Sequence, residues 1–131
     1  MDIFERLKNL KILLVDDDEW IRDSLSLFFE AEGCNLLAFE TAEEGIEAVK
    51  QQSYDIVISD YKLPGMDGLS FLNEIEGRQP DTWIILITAY ADEVFKKAGR
   101  LNIHDFITKP FTSEDIQKSL IRLMKRQKRK N

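Results

Sequence analysis

Short apolar runs alternate with amphipathic stretches along most of the chain. The runs are short and rich in branched or aromatic side chains, which is typical of buried strands rather than helices. This pattern predicts strands at KILLV (11–15), LLAF (36–39), DIVIS (55–59), WIILIT (83–88) and DFIT (105–108).

Apolar residues recur at helical spacing after each predicted strand. The first helix carries Ile21, Leu25 and Phe29, and the second begins at Thr41 with Glu44 completing a capping box. Three more helices are placed by their apolar residues: Leu69, Leu72 and Ile75; Val94, Ala98 and Leu101; and Ile116, Leu120 and Leu123.

A strand followed by a helix therefore repeats five times, which is typical of an α/β domain. Strands that are apolar on both faces indicate a parallel sheet covered by helices on both sides. Right-handed crossovers then give a three-layer, doubly wound fold with a five-stranded parallel sheet. We assign the domain to residues 10–125, a helical lead-in to 1–9, and a basic tail or the start of a linker to 126–131.

The composition fits a single soluble domain. The chain has 131 residues, of which 44% are hydrophobic and 32% charged. A single cysteine, Cys34, excludes an intrachain disulfide. The sequence has neither a membrane-spanning apolar run nor a signal-peptide pattern, so we expect a cytoplasmic location and no membrane contact.

The charge is unevenly distributed. Six of the 18 Lys and Arg residues lie within 122–130, which leaves 12 against 24 Asp and Glu in the remainder. The part of the chain outside 122–130 is therefore too acidic to favour contacts with phosphate groups, and we expect no direct nucleic-acid binding by the domain. The basic end is either a solvated helix terminus or a contact for nucleic acid or an acidic partner.

Polar side chains follow the predicted strands where each one ends. Asp16, Asp17 and Asp18 follow the first strand, Asp60 the third, Thr88 the fourth and Lys109 the fifth. In doubly wound sheets these ends share one crevice. A lone aspartate is usually a turn or cap residue, but clustered carboxylates become favourable around a cation. Oxygen ligands without His or Cys indicate Mg²⁺ or Mn²⁺.

Four segments carry a resemblance to a known family. ILLVDDDEWIR (12–22), IVISDYKLPGMDGL (56–69), ILITAY (85–90) and FITKPF (106–111) resemble the signature segments of response-regulator receiver domains in two-component signalling. The resemblance spans residues 10–125 and implies a flavodoxin-like (βα)5 fold.

The resemblance implies a role for each residue at the strand ends. Asp60 would be the phosphoryl acceptor, and Asp17 a direct metal ligand. Asp16 would bind the metal partly through water, and the backbone carbonyl of Lys62 would complete the protein ligands. The hydroxyl of Thr88 and the ammonium of Lys109 would contact the phosphoryl group.

The resemblance also implies a switch. On phosphorylation Thr88 moves toward the phosphoryl group, and Phe106, at a position where Tyr is frequent, rotates inward. The surface of the fourth helix, fifth strand and fifth helix then changes. Lys62 and Tyr90 either flank the phosphoryl group or are merely exposed, and the resemblance implies a cis bond at Lys109-Pro110.

The implied partners are a sensor histidine kinase or histidine phosphotransfer protein, an unknown output domain or downstream protein, and a second copy in a phosphorylation-dependent homodimer. The chain would be a signalling domain that catalyses only its own phosphorylation and dephosphorylation. One alternative is a Mg²⁺-dependent aspartyl-phosphate phosphohydrolase, but that class usually has a second Asp where Lys62 stands. The other is a pseudo-receiver that binds partners unphosphorylated, which the full set of Asp16, Asp17, Asp60, Thr88 and Lys109 opposes.

Overall fold

The computed structural model describes residues 3–66, 68–90, 92–93, 96 and 103–130, with 126–130 described by their backbone. Asp67, at which the sequence also allows a cap for the third predicted helix, and residues 94, 95 and 97–102 of the fourth predicted helix lie outside the described residues. The elements in chain order are α1 (Ile3–Leu7), β1 (Lys11–Val15), α2 (Glu19–Ala31), β2 (Asn35–Phe39), α3 (Ala42–Gln51), β3 (Ile56–Asp60), α4 (Gly68–Arg78), β4 (Trp83–Thr88), β5 (Asp105–Thr108) and α5 (Ser113–Lys130).

The strands form one parallel sheet in the order β2-β1-β3-β4-β5. β1 pairs with both β2 and β3, so the chain reverses its direction of winding between β1 and β3. This is the doubly wound arrangement that the sequence predicts. Crevices for ligands in such sheets lie outside the carboxyl ends of the strands at this reversal.

Alternate side chains of each strand enter two different cores. In β1, Ile12 and Leu14 join the cluster under α1, α2 and α5, while Leu13 and Val15 join the one under α3 and α4. All four are fully buried. Burial on both faces explains why the strands read as continuous apolar runs instead of alternating patterns.

Side-chain caps lie at the starts of α2 and α3, and the one at α3 is the capping box predicted from the sequence. The Asp18 side chain accepts a hydrogen bond from Trp20 N at the start of α2, and Thr41 and Glu44 form a capping box at α3. Gly33, just after α2, has a φ of 74°, which favours glycine. None of the described helices has an apolar stretch long enough to cross a membrane.

The first residue of α4 lies against the end of β3. Gly68 N donates to Tyr61 O at 2.6 Å. A β-carbon on Gly68 would lie 2.6 Å from Tyr61 O and closer still to Asp60 O. Only glycine permits this approach, which packs α4 directly behind the carboxyl end of β3.

We therefore expect Gly68→Ala to reduce the free energy of unfolding by about 1–3 kcal/mol, since the new methyl group overlaps backbone atoms that cannot move freely. Gly77→Ala, in the same helix but with open space around it, is the matched control and should be stabilising by up to about 1 kcal/mol. Urea unfolding of both variants measures the difference. Equal stabilities would contradict the close approach.

Candidate functional site

The carboxyl ends of four strands place the predicted residues along one crevice. Asp16 and Asp17 follow β1, Asp60 ends β3, Thr88 ends β4, and Lys109 follows β5. The strand ladders continue past the strand ends, because Asp16 N donates to Phe39 O at 3.1 Å and Lys109 N donates to Thr88 O at 2.8 Å. The backbone of the site is therefore held by the sheet itself.

Three carboxylates form the acidic part of the site. One oxygen each from Asp16, Asp17 and Asp60 lies within 4.8 Å of the others. Asp16 is 0% exposed and Asp60 7% exposed, whereas Asp17 is exposed to solvent. Two buried carboxylates this close to a third are unfavourable unless cations compensate their charge.

Lys109 supplies one of these cations. Its Nζ lies 3.0 Å from Asp60 Oδ2 and 3.6 Å from Asp16 Oδ2. Burial disfavours the ammonium form, but the hydrogen bond to Asp60 and the charges of Asp16 and Asp60 outweigh that effect and raise the pKa of Lys109. The lysine therefore stays charged and bridges the two buried carboxylates.

Asp16 remains under-compensated. Its Oδ1 accepts a hydrogen bond from Asp18 N at 2.9 Å, but Oδ2 is buried and accepts no hydrogen bond within the described part of the chain. Burial raises the pKa of Asp16 to about 6, and the charge of Asp60 adds to the increase despite the bond from Asp18. This orphaned oxygen, which lacks a hydrogen bond although Lys109 Nζ lies 3.6 Å away, lies beside two more carboxylates and fits a hard divalent cation such as Mg²⁺.

Thr88, Tyr90 and Lys62 lie in or just after the carboxyl ends of β4 and β3. Thr88 is fully buried, and its Oγ1 accepts a hydrogen bond from Tyr90 N at 2.7 Å. The exposed Lys62 ammonium lies 4.7 Å from the centre of the Tyr90 ring. The two exposed side chains that the sequence left open thus contact each other in a cation–π pair.

Sequence patterns did not indicate two further contacts at the site. Tyr61 is buried, and its hydroxyl donates to Glu93 Oε1 at 3.3 Å. Arg22, in the first turns of α2, donates from Nη1 to the backbone carbonyl of Asp16 at 2.9 Å. Neither belongs to a spacing motif, because each depends on how far a long side chain reaches between separate elements.

The β5 edge holds the predicted switch residue. Phe106 is half-buried against the core under α3 and α4. Asp105 accepts hydrogen bonds from Ser119 and Arg122 of α5, so Arg122, the first residue of the basic segment, lies in an ion pair. His104 Nδ1 accepts a hydrogen bond from Ile84 N at 3.0 Å, and His104 N donates to Ile84 O.

The site is open on its α2 side. A groove of about 600 Å³ separates α2 from the start of α5, and its lining includes Trp20, Phe28, Lys109 and Phe111. Trp20 is 78% exposed at this groove. The Lys109-Pro110 bond is cis, as the family resemblance implies. The groove therefore leaves the Lys109 side of the crevice open to solvent.

Comparison with known families gives a match over most of the chain. A family model described as the response regulator receiver domain matches residues 12–121. The chain is 31% identical over 106 residues to a cyclic di-GMP phosphodiesterase of Thermotoga maritima, covering 80% of this chain and 28% of that protein. It is 33% identical over 105 residues to the DNA-binding transcriptional regulator NtrC of Escherichia coli K12, covering 79% of this chain and 22% of that protein. The chain thus spans about a quarter of the length of these relatives.

Solved structures give the same result for the fold. The signal receiver domain of an HD domain-containing protein from Pseudomonas fluorescens Pf-5 has a TM-score of 0.82 and 28% identity, over 90% of this chain and 96% of that one. The response regulator protein TrrA from Thermotoga maritima, in complex with Mg²⁺-BeF, has a TM-score of 0.74 and 30% identity, over 87% of this chain and 98% of that one. Both share the receiver fold that the sequence of this chain predicts.

Proposed function

The chain belongs to the response regulator receiver domain family, and we propose that it accepts a phosphoryl group on Asp60 from a phosphohistidine donor in a Mg²⁺-dependent reaction. Response regulators work with sensor kinases and output domains. The proposal is supported chiefly by one observation. The Asp60 carboxylate lies within 4.8 Å of two more carboxylates and 3.0 Å from the ammonium of Lys109.

The charges of the site support the requirement for metal. Asp16, Asp17 and Asp60 carry three negative charges when ionised, and Lys109 balances one of them. A Mg²⁺ ion held by these carboxylates and the carbonyl of Lys62 would balance the other two and neutralise phosphoryl oxygens. The buried Asp16 Oδ2, which accepts no hydrogen bond within the described part of the chain, supports this assignment. Mn²⁺ has the same ligand preference.

The chemistry assigned to the protein is a substitution at phosphorus. A carboxylate oxygen of Asp60 forms a bond to the phosphorus, and the bond to the imidazole nitrogen of the donor breaks, with its electron pair leaving on the imidazole. Lys109 contacts Asp60 before the transfer and a phosphoryl oxygen after it. The Thr88 hydroxyl, which accepts from Tyr90 N in this structure, turns to donate to another phosphoryl oxygen.

The response to phosphorylation is assigned to the β5 edge. Movement of Thr88 leaves space behind it, and Phe106, half-buried on a strand two positions from β3 in the sheet, rotates into that space. The surface of β5, α5 and the helix before β5 changes as a result, and this surface pairs two phosphorylated copies or contacts an output domain. Lys62 and Tyr90, in contact with each other, flank the phosphoryl group and set how readily water reaches it.

The partners remain part of the proposal. The donor is a sensor histidine kinase or a histidine phosphotransfer protein, and the groove beside Lys109 leaves room for it to approach. The relatives differ in their named activities, since one is a phosphodiesterase and another a DNA-binding regulator. No particular output is therefore assigned. The cytoplasmic location stays a prediction from sequence.

The direct test is phosphorylation by a small donor. We expect acetyl phosphate with Mg²⁺ to add the mass of one phosphoryl group to the intact protein, and we expect EDTA to prevent the addition. Absence of an adduct with Mg²⁺ would contradict the proposal and favour a pseudo-receiver. Multiple turnover of a simple phosphate monoester such as p-nitrophenyl phosphate would instead indicate a phosphohydrolase.

A further inference from the structure

The peptide between Asp16 and Asp17 is held by an arginine outside the metal-ligand set. The guanidinium of Arg22 donates from Nη1 to the carbonyl oxygen of Asp16 at 2.9 Å, and the side chain is half-buried. A hydrogen bond from a charged donor is stronger than one between neutral groups. Arg22 therefore fixes the orientation of the peptide group that joins Asp16 to Asp17.

The rest of Asp16 is already fixed by other contacts. Its N donates to Phe39 O at 3.1 Å, and its Oδ1 accepts from Asp18 N at 2.9 Å. Among the described residues, Arg22 makes the only side-chain hydrogen bond to the Asp16 carbonyl. Without it, that carbonyl would sit at the end of the sheet with its direction free to change.

Asp17 depends on this peptide more than Asp16 does. Its side chain is exposed, and within the described part of the chain its carboxylate accepts no hydrogen bond. The direction of the Asp17 carboxylate is thus set mainly by its backbone. That backbone begins at the carbonyl that Arg22 holds.

Arg22 is itself well anchored. Its backbone N donates to Asp18 O at 3.1 Å in the first turn of α2, and Asp18 caps the same helix. The guanidinium reaches back from this turn to the end of β1. The contact therefore joins the position of α2 to the position of the acidic cluster.

From this arrangement, and resting on the proposed Mg²⁺ site, we infer that Arg22 is a positioning residue for the metal ligands Asp16 and Asp17. The charge of Arg22 and its geometry predict opposite effects on the affinity for Mg²⁺. A cation beside a metal site repels the metal, so a purely electrostatic role means that removing Arg22 would tighten Mg²⁺ binding. A positioning role means that removal weakens it, as replacement of residues supporting metal ligands usually does.

The test is the dissociation constant for Mg²⁺, measured by isothermal titration calorimetry at fixed ionic strength. We expect Arg22→Met, which keeps the apolar stem, to weaken binding by about tenfold or more. Arg22→Lys keeps a charged donor group without the planar fork. Its affinity for Mg²⁺ should lie between those of the wild type and Arg22→Met. The control is Arg78→Met, an identical change at an exposed residue of α4, and it should bind Mg²⁺ like the wild type.

A second measurement separates positioning from a general loss of structure. The rate of phosphorylation by acetyl phosphate in Arg22→Met should be low at limiting Mg²⁺ and approach the wild-type rate at saturating Mg²⁺. If circular dichroism shows that Arg22→Met is unfolded, Arg22→Gln, which also lacks the long donor, takes its place.

Unchanged or tighter Mg²⁺ binding in the folded variant would overturn the inference while leaving the proposed function intact. Failure of the wild type to bind Mg²⁺ would overturn both. These two outcomes are distinguished within one set of titrations.

Discussion

Asp60→Asn is expected to abolish phosphorylation by acetyl phosphate, with no adduct detectable by intact mass. The amide is nearly the same size as the carboxylate but is not a nucleophile, and it accepts a weaker hydrogen bond from Lys109 than the charged oxygen 3.0 Å away does. Since the fold packs around the carbonyl of Asp60 and not around its side-chain charge, the variant should stay folded. The loss of phosphorylation would therefore come from the missing nucleophile and not from unfolding.

The matched control is Asp81→Asn, the same change at an exposed aspartate that lies before β4. It should be phosphorylated like the wild type. A full adduct on Asp60→Asn would show that another carboxylate is the acceptor. Asp17 is then the first candidate, because it is exposed and shares the cluster, and peptide mapping of the adduct would identify it.

Asp16→Asn is expected to make the metal-free protein more stable at neutral pH, by about 1–3 kcal/mol in the free energy of unfolding. The basis is the pKa of Asp16, which burial raises from 3.8 to about 6 in the folded protein. Each unit of such a shift is worth about 1.4 kcal/mol of unfavourable charge burial. The asparagine can still accept from Asp18 N but carries no charge.

The stability gained should vanish at low pH. Between pH 3.8 and about 6 the folded state holds the Asp16 proton more tightly than the unfolded state does. Raising the pH through this interval therefore costs the wild type stability. Asp16→Asn lacks that loss, so the two metal-free proteins should converge in stability near pH 4 and diverge above it.

With Mg²⁺ bound, the wild type should become more stable than Asp16→Asn. Mg²⁺ compensates the carboxylates of the wild type and raises its melting temperature, whereas the variant has lost one proposed ligand and gains less. Thermal unfolding with EDTA and with excess Mg²⁺ measures both effects. If Asp16→Asn were less stable without metal, the buried carboxylate would be well compensated in the metal-free protein, contrary to the orphaned Oδ2.

The sequence was sufficient to predict the layers of this fold because its main signals are local. The run 12–15 is apolar at every position, which indicates burial on both faces, and the structure places alternate side chains in two cores. The capping box of Thr41 and Glu44 spans one turn of helix, so it too could be predicted from the sequence. Because the carboxyl ends of the strands in such a sheet share one crevice, the sequence also predicts that Asp16, Asp60 and Lys109 lie close together.

The remaining features depend on distances that no local pattern encodes. Arg22 reads as an ordinary polar residue on the surface of α2, and its bond to Asp16 depends on the angle at which that helix leaves β1. Tyr61 and Glu93 meet although they lie on different connections of the sheet. A long side chain has many rotamers, and the packing of whole elements selects among them.

The hydrogen bond from Ile84 N to His104 Nδ1 gives this protein a built-in spectroscopic probe. Accepting that bond requires a neutral ring with its proton on Nε2. The chain has one histidine, so its ring nitrogens give a single pair of ¹⁵N signals, which report the imidazole tautomer without any attached reporter group. His104 lies two residues before Phe106 on the β4–β5 edge. A rearrangement of that edge that breaks the bond from Ile84 N would thus be recorded directly in the tautomer of one side chain.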